Sequence, residues 1–193
     1  LDDEDPVFSF NKAIIDATHE LCVCYKLNTA FYEANGKQGW ESLEKTLRYI
    51  PQDIFTIADA KRGDIGNTSA MQAKFVFDFL GADATTIHPY MGYDSLSPFF
   101  NFKNKYNFVL ALTSNPGAVD FEKQVLNGRP LYSKVIEACS SWNKSHNNIG
   151  IVVGATQDEL QSIRKLDPEM LFLIPGVGQQ GGSYEIALQN GVN

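Results

Sequence analysis

Thr56-Ile57-Ala58-Asp59-Ala60-Lys61-Arg62-Gly63-Asp64-Ile65-Gly66-Asn67-Thr68 is the segment from which the architecture follows. Ile54, Phe55 and Ile57 predict a short buried strand, and Ala70 to Leu80 predict an amphipathic helix. The charges therefore fall where strand hands over to helix, which is where α/β proteins keep their chemistry. If extended geometry persists through Asp59 and Lys61, their spacing of two points both side chains to one side, with Asp64 just beyond in a glycine-flanked loop. The plainer reading of an Asp-x-Lys pair is a surface salt bridge, common and of little energetic consequence. Here the pair has company. Asp64 repeats the acid, Ile65 adds an apolar surface and Thr68 offers a hydroxyl as the helix begins.

Apolar runs of the same kind recur at Leu21 to Lys26, Ala84 to His88, Phe108 to Leu112, Ile149 to Gly154 and Leu171 to Ile174. Helical stripes separate them. Phe10, Ala13, Ile14, Ala17 and Leu21 predict a core-facing helix, as do Trp40, Leu43, Leu47 and Ile50 after a break at Gly36 to Gly39. After the charged segment, Met71, Phe75, Val76, Phe79 and Leu80 form a third stripe, with Asn67 or Thr68 as cap and Gly81 as stop. Further helices are predicted near Ser95 to Phe100, Leu131 to Trp142 and Gln157 to Leu166.

Continuous apolar runs alternating with helices describe a parallel sheet buried on both faces. Six full strands, a stub at Leu1-Asp2 and one strand expected beyond Asn193 give eight βα units. The fold class is thus α/β, a TIM (β/α)8 barrel incomplete at both ends, forming one domain over residues 1–193. An open doubly wound sheet is the alternative, but no G-x-G-x-x-G opens an early helix. In a barrel, Asp2, Lys26 with Asn28, Asp59 with Lys61, His88, Ser114, Gly154 with Thr156, and Gly176 to Gly182 would ring one mouth. Core burial needs none of them.

Twenty-three acidic against 16 basic residues give a net charge of −7, which argues against nucleic acid or an anionic membrane as partner. No apolar run reaches the roughly 18 residues of a membrane span and no secretory leader is visible, so a cytoplasmic location is expected. Cys22, Cys24 and Cys139 read as buried thiols of a reducing compartment; a Cys-x-Cys metal site is the sharper alternative, without a histidine or carboxylate cluster to accompany it. His19, His88 and His146 read as structural or solvated.

The segment Asp59-Ala60-Lys61-Arg62-Gly63-Asp64-Ile65-Gly66-Asn67-Thr68 resembles the Asp-x-Lys-x-x-Asp-Ile-x-x-Thr signature of the orotidine 5′-phosphate decarboxylase family. Tyr25-Lys26-Leu27-Asn28, Leu112-Thr113-Ser114-Asn115-Pro116-Gly117-Ala118, Val152-Val153-Gly154-Ala155-Thr156 and Ile174-Pro175-Gly176-Val177-Gly178-Gln179-Gln180-Gly181-Gly182 extend the likeness over nearly the whole chain, toward the longer subgroup. The resemblance implies decarboxylation of orotidine 5′-monophosphate to uridine 5′-monophosphate, the last step of pyrimidine synthesis, without metal or organic cofactor. It implies that Lys61 delivers a proton to C6, that Asp59 sits beside the leaving carboxylate, and that Lys26, Asp59, Lys61 and Asp64 form an alternating charge network. It further implies that Asp2 and Lys26 bind the ribose hydroxyls, that Ser114 reads the pyrimidine, and that Pro175, Gln180 and Gly181 belong to the phosphate-binding loop. Asp64, Ile65 and Thr68 would reach into the neighbouring subunit's site of a homodimer. The family's phosphate-binding Gly-Arg after the eighth strand has no counterpart up to Asn193 and is expected beyond it. Fusion to or association with orotate phosphoribosyltransferase is a further implied partnership.

The chemistry suits the residues. Loss of CO2 from C6 leaves an electron pair in the ring plane, poorly delocalised, and demands the upper end of enzymatic acceleration, about 23 kcal/mol. A preorganised ammonium beside C6 is the obvious stabiliser. Rival readings are another phosphosugar enzyme of the same barrel group with metal-dependent enediolate chemistry, a Schiff-base aldolase using Lys61, and a nucleotide-binding module without catalysis.

Overall fold

A computed structural model describes residues 4–155, 159–178 and 181–192. Strands β1 (Cys24–Asn28), β2 (Phe55–Arg62), β3 (Ala84–Ile87), β4 (Tyr106–Leu112), β7 (Ile149–Val153) and β8 (Leu171–Leu173) form one parallel sheet in the order β1-β2-β3-β4-β7-β8. These are the six predicted runs, and the sheet is an arc of a (β/α)8 barrel. Helices α1 (Pro6–Thr18), α2 (Thr29–Glu33), α3 (Gly36–Tyr49), α4 (Gly66–Lys74), α5 (Tyr93–Phe100), α6 (Leu131–His146), α7 (Leu160–Leu166) and α8 (Tyr184–Gly191) follow the strands. The strand stub expected at Leu1-Asp2 lies outside the described residues.

Strand periodicity sorts side chains to the two faces. Ala58, Ile87, Val109, Ala111, Ile149, Ile151 and Val153 meet Phe99, Phe100, Ile136 and Ile163 in the core between sheet and helices. On the lumen face Ile57, Ala84, Phe108 and Val152 close on one another, with Cys24, Phe55, Leu110 and Leu173 packed against them. Lys26, Asp59 and Thr86 each lie two residues beyond a member of that inner cluster. They continue its face to the C-terminal ends of their strands.

Three local expectations need correction. The α1 stripe was read as core-facing, yet only Ile15 is buried, while Phe10 is 67% and Ile14 46% exposed. These two line an open recess with Tyr25, Leu27 and Phe31, because β1 is the edge of the described sheet and α1 buries only Ile15, with further ties in the hydrogen bonds of Asn11 to Tyr32 and Thr46 and of Thr18 to Tyr25. The helix after β2 starts earlier than expected, at Gly66, with no side-chain cap from Asn67 or Thr68, and passes into a π-helical turn at Phe75–Phe79. The buried face is Ser69, Ala73, Val76 and Leu80, one side of the predicted stripe, while Met71 and Phe79 are more than half exposed. Finally, the connection after β4 contains a hairpin, β5 (Val125–Leu126) and β6 (Arg129–Pro130), absent from the sequence-based expectation. Asn127 and Gly128, both at positive φ, make its turn, the pair that such tight hairpins favour.

Asp5 fastens α1 to α3. Its carboxylate caps α1 by accepting the Phe8 N–H at 3.1 Å, and it also accepts from Ser42 Oγ at 2.6 Å and Lys45 Nζ at 3.0 Å. Burial raises the Asp5 carboxyl, but these donors outweigh burial and leave it below its usual value of 3.8. A group depressed in the folded state stabilises fully above its unfolded value, and that contribution disappears as pH falls through the folded one. Asp5→Ala is therefore expected to cost about 1–3 kcal/mol in urea unfolding at neutral pH, with the gap to wild type narrowing under acidic conditions.

Candidate active site

The register of β1 on β2 sets Lys26 opposite Ile57 and Asn28 opposite Asp59. From there the Lys26 ammonium donates to Asp59 Oδ2 at 2.8 Å, and the Lys61 ammonium donates to Oδ1 at 2.6 Å. Asp59 is 8% exposed. Burial drives its carboxyl upward, but the donors Lys26, Lys61 and Thr86 more than compensate and hold it below 3.8. The cluster of two ammoniums and one carboxylate carries a net positive charge on a chain whose overall charge is −7.

Lys61 does not remain extended. On β3, Thr85 pairs with Ala58 and Ile87 with Arg62, so Asp59, Ala60 and Lys61 stand opposite Thr86 alone. This bulge forces Lys61 to φ +47°, a left-handed conformation unusual for a lysine. The two side chains converge because the bulge re-aims them, not because simple alternation persists. Thr86 fills the gap: its Oγ1 accepts the Lys61 N–H at 2.9 Å and donates to Asp59 Oδ1 at 2.8 Å.

Asp64 stands apart from this cluster within the protomer. Its carboxylate accepts the Ile65 N–H at 2.7 Å, and no ion pair to it occurs among the described residues. Ile65 is 64% exposed and Thr68 is also exposed, while Asp64 beside them is half-buried. The loop is shaped by His88, whose Nε2 lies 3.2 Å from the Gly63 carbonyl. A Cβ at position 63 would stand 2.6 Å from that same nitrogen. Arg62 turns away to pair with Glu33 of α2.

Ser114 sits at the end of β4 against Gly154, where an added Cβ would lie 2.7 Å from the Ser114 backbone. Glu122 positions this region, as Thr86 does the Asp59 cluster. Glu122 accepts the Thr113 N–H at 2.7 Å and the Thr113 hydroxyl at 2.9 Å, while its own carbonyl accepts the Tyr132 N–H of α6 at 2.9 Å. The neck of the Ser114 loop is thereby tied to the helix that follows. Nothing in the local sequence marks Glu122, whereas Thr86 left a trace as a hydroxyl on the polar-ending face of an otherwise apolar run.

Within the glycine-rich loop several described amides are already engaged. The amides of Gly178, Gly181 and Gly182 donate to the carbonyls of Gly182, Gly178 and Gly176, which makes the segment a self-bonded turn with Gly176, Gly178 and Gly181 at positive φ. The Pro175 carbonyl accepts the Ala155 N–H at 2.8 Å and joins the turn to the end of β7. Asp2, Thr156 and Gln180 lie outside the described residues. The cysteines are free thiols, and burial pushes Cys24 up to about 11 and Cys139 up to about 12.

Comparison with known proteins fits this geometry. The profile of the orotidine 5′-phosphate decarboxylase / HUMPS family matches residues 7–189. The chain is 56% identical to the orotidine 5′-phosphate decarboxylase of Christiangramia forsetii, over all of this chain and 72% of that protein. Leishmania donovani OMP decarboxylase superposes with a TM-score of 0.90 at 40% identity, covering 95% of this chain and 72% of that one. L. donovani UMP synthase superposes with a TM-score of 0.92 at 42% identity, covering 95% of this chain and 42% of that longer one. The chain belongs to the orotidine 5′-phosphate decarboxylase / HUMPS family.

Proposed function

We propose that this chain converts orotidine 5′-monophosphate to uridine 5′-monophosphate and CO2 without a cofactor. The observation that carries the reading is the Lys26–Asp59–Lys61 cluster, which places an ammonium and a carboxylate side by side at the C-terminal rim of the sheet. In this reading the substrate's carboxylate lies beside Asp59. At about 4 Å and an effective dielectric near 20, like charges repel by on the order of 4 kcal/mol, relieved as CO2 departs. The C6–carboxylate bond breaks and its electron pair stays on C6. The Lys61 ammonium stabilises that pair and transfers its proton to C6, after which the amine takes a proton from solvent. Lys26 holds Asp59 through its other oxygen and in this reading would also bind a ribose hydroxyl.

Ser114 would read the pyrimidine edge, with Gly154 giving it room and Glu122 holding its loop. Phosphate recognition would fall to Gln180 and Gly181, with Asp2 on the ribose; phosphate binding energy raises the chemical rate when it orders the site. The exposure of Ile65 and Thr68 beside Asp64, which takes no part in its own protomer's Lys26–Asp59–Lys61 cluster, supports a homodimer in which each subunit completes its neighbour's site. The similarity to a UMP synthase more than twice as long as the matched segment favours a functional link to orotate phosphoribosyltransferase. A cytoplasmic setting belongs to the same reading; among the described residues no helix is long and apolar enough to cross a membrane.

The deciding experiment follows CO2 release from orotidine 5′-monophosphate with and without EDTA. Turnover that survives the chelator and falls by on the order of 10²- to 10⁴-fold in Lys61→Ala supports the reading. Loss of turnover on chelation would point instead to enediolate chemistry, and uridine 5′-monophosphate binding without any CO2 release to a module without catalysis. Mixing inactive Lys61→Ala and Asp64→Ala protomers should restore about a quarter of wild-type activity, because half the dimers carry one intact shared site. No recovery would place both residues in one protomer's site. Gly154→Ala is expected to push Ser114 out of register and lower kcat/KM about 10- to 100-fold, measured by steady-state kinetics.

A further inference from the structure

We propose that Thr86 is a positioning residue of the reaction, its one hydroxyl setting both the Lys61 backbone and the Asp59 carboxylate. The inference rests on the decarboxylase reading for its kinetic consequence and on geometry for its structural one.

The β2–β3 ladder is broken at one place, where Asp59, Ala60 and Lys61 oppose Thr86. Such a bulge leaves main-chain groups without their ladder partners. The Lys61 N–H is one of these, and it sits on a residue held at φ +47°. A strained backbone persists only when its surroundings over-determine it. Thr86 provides that restraint from a position 2% exposed, by accepting the Lys61 N–H at 2.9 Å. Because the hydroxyl oxygen is engaged as an acceptor there, its proton is directed to Asp59 Oδ1 at 2.8 Å. Oδ1 is the same oxygen that receives the Lys61 ammonium at 2.6 Å. One hydroxyl therefore fixes where the lysine's main chain leaves the sheet and where its charged end comes to rest.

The charged groups facing the Asp59 carboxylate among the described residues are Lys26 from β1 and Lys61 from β2, and Thr86 is the neutral donor from β3. Removing the hydroxyl leaves the Lys61 N–H unpaired and withdraws one donor from the ionised carboxylate. An ionised acid that loses a donor titrates at higher pH. The acid limb of the pH–rate profile, where Asp59 takes up its proton, should move upward with it.

The test compares Thr86→Val, isosteric but without the hydroxyl, with Thr86→Ser, which keeps it, in the full protein. Thr86→Val is expected to lower kcat by on the order of 10- to 100-fold, with affinity for uridine 5′-monophosphate within about threefold of wild type and the acid limb of kcat/KM at higher pH. Thr86→Ser is expected to stay close to wild type. If Thr86→Val does not fold, Thr86→Ala serves, since it removes bulk instead of replacing it. Unchanged kcat and acid limb without the hydroxyl would overturn the proposal, as would a Thr86→Ser variant as impaired as Thr86→Val. A ¹³C NMR titration of the Asp59 carboxyl gives a readout independent of turnover: a higher midpoint without the hydroxyl supports the proposal, and an unchanged one overturns it. Wild-type protein that releases no CO2 would sink the decarboxylase reading alone, and the titration would still decide the part of Thr86.

Discussion

A carboxylate buried at the end of a strand, with an ammonium on each of its oxygens, is the interaction on which the rest depends. Removing a carboxylate from water costs several kcal/mol, and only excellent geometry with further hydrogen bonds offsets that cost. Asp59 meets the condition by drawing donors from three adjacent strands: Lys26 from β1, Lys61 from its own strand and Thr86 from β3. The order β1-β2-β3 is thus a requirement of the site as well as of the sheet. Had β2 been an edge strand, one of its two flanking donors would be missing.

The apolar lumen below the cluster supports it. Ile57, Ala84, Phe108 and Val152 close the floor, and the polar residues stand above them on the same face. A floor of this kind lowers the local dielectric and lengthens the reach of each charge. Beside it, the Ser114 loop is held from two directions, by the absence of a side chain at Gly154 and by the Glu122 carboxylate across its neck. The glycine-rich turn after β8 joins the same rim through the Pro175 carbonyl and the Ala155 amide.

Legibility varied with the kind of signal. The sheet strands were readable because a strand covered on both faces is mostly apolar, as in β4 and β7, although β1 carries Lys26 and β8 is partly exposed. Asp59, Lys61 and Lys26 were readable from their place at strand ends. Helix faces were less so. The stripes at Phe10 and Ile14 and at Met71 and Phe79 obey helical spacing, yet each is exposed, in one case because α1 lies beside the open edge of the described sheet and in the other because the helix buries the neighbouring face of Ser69, Ala73, Val76 and Leu80. The hairpin at Val125–Pro130 was marked by Asn127-Gly128, a signal overlooked because its strands are only two residues long.

The amino-acid sequence by itself determined the alternation of strands and helices, and with it a parallel barrel sheet and the rim at which its charges gather, since burial and periodicity are local properties of the chain. Tertiary structure alone decided that Lys61 enters the site through a bulge at φ +47°, that Thr86 rather than a ladder partner receives its amide, and that Asp59 is buried between two ammoniums while Asp64 stays out of that cluster. The physical reason is that register is a relation between strands: three residues of β2 standing against one of β3 is a fact of pairing, and neither stretch of sequence carries it alone.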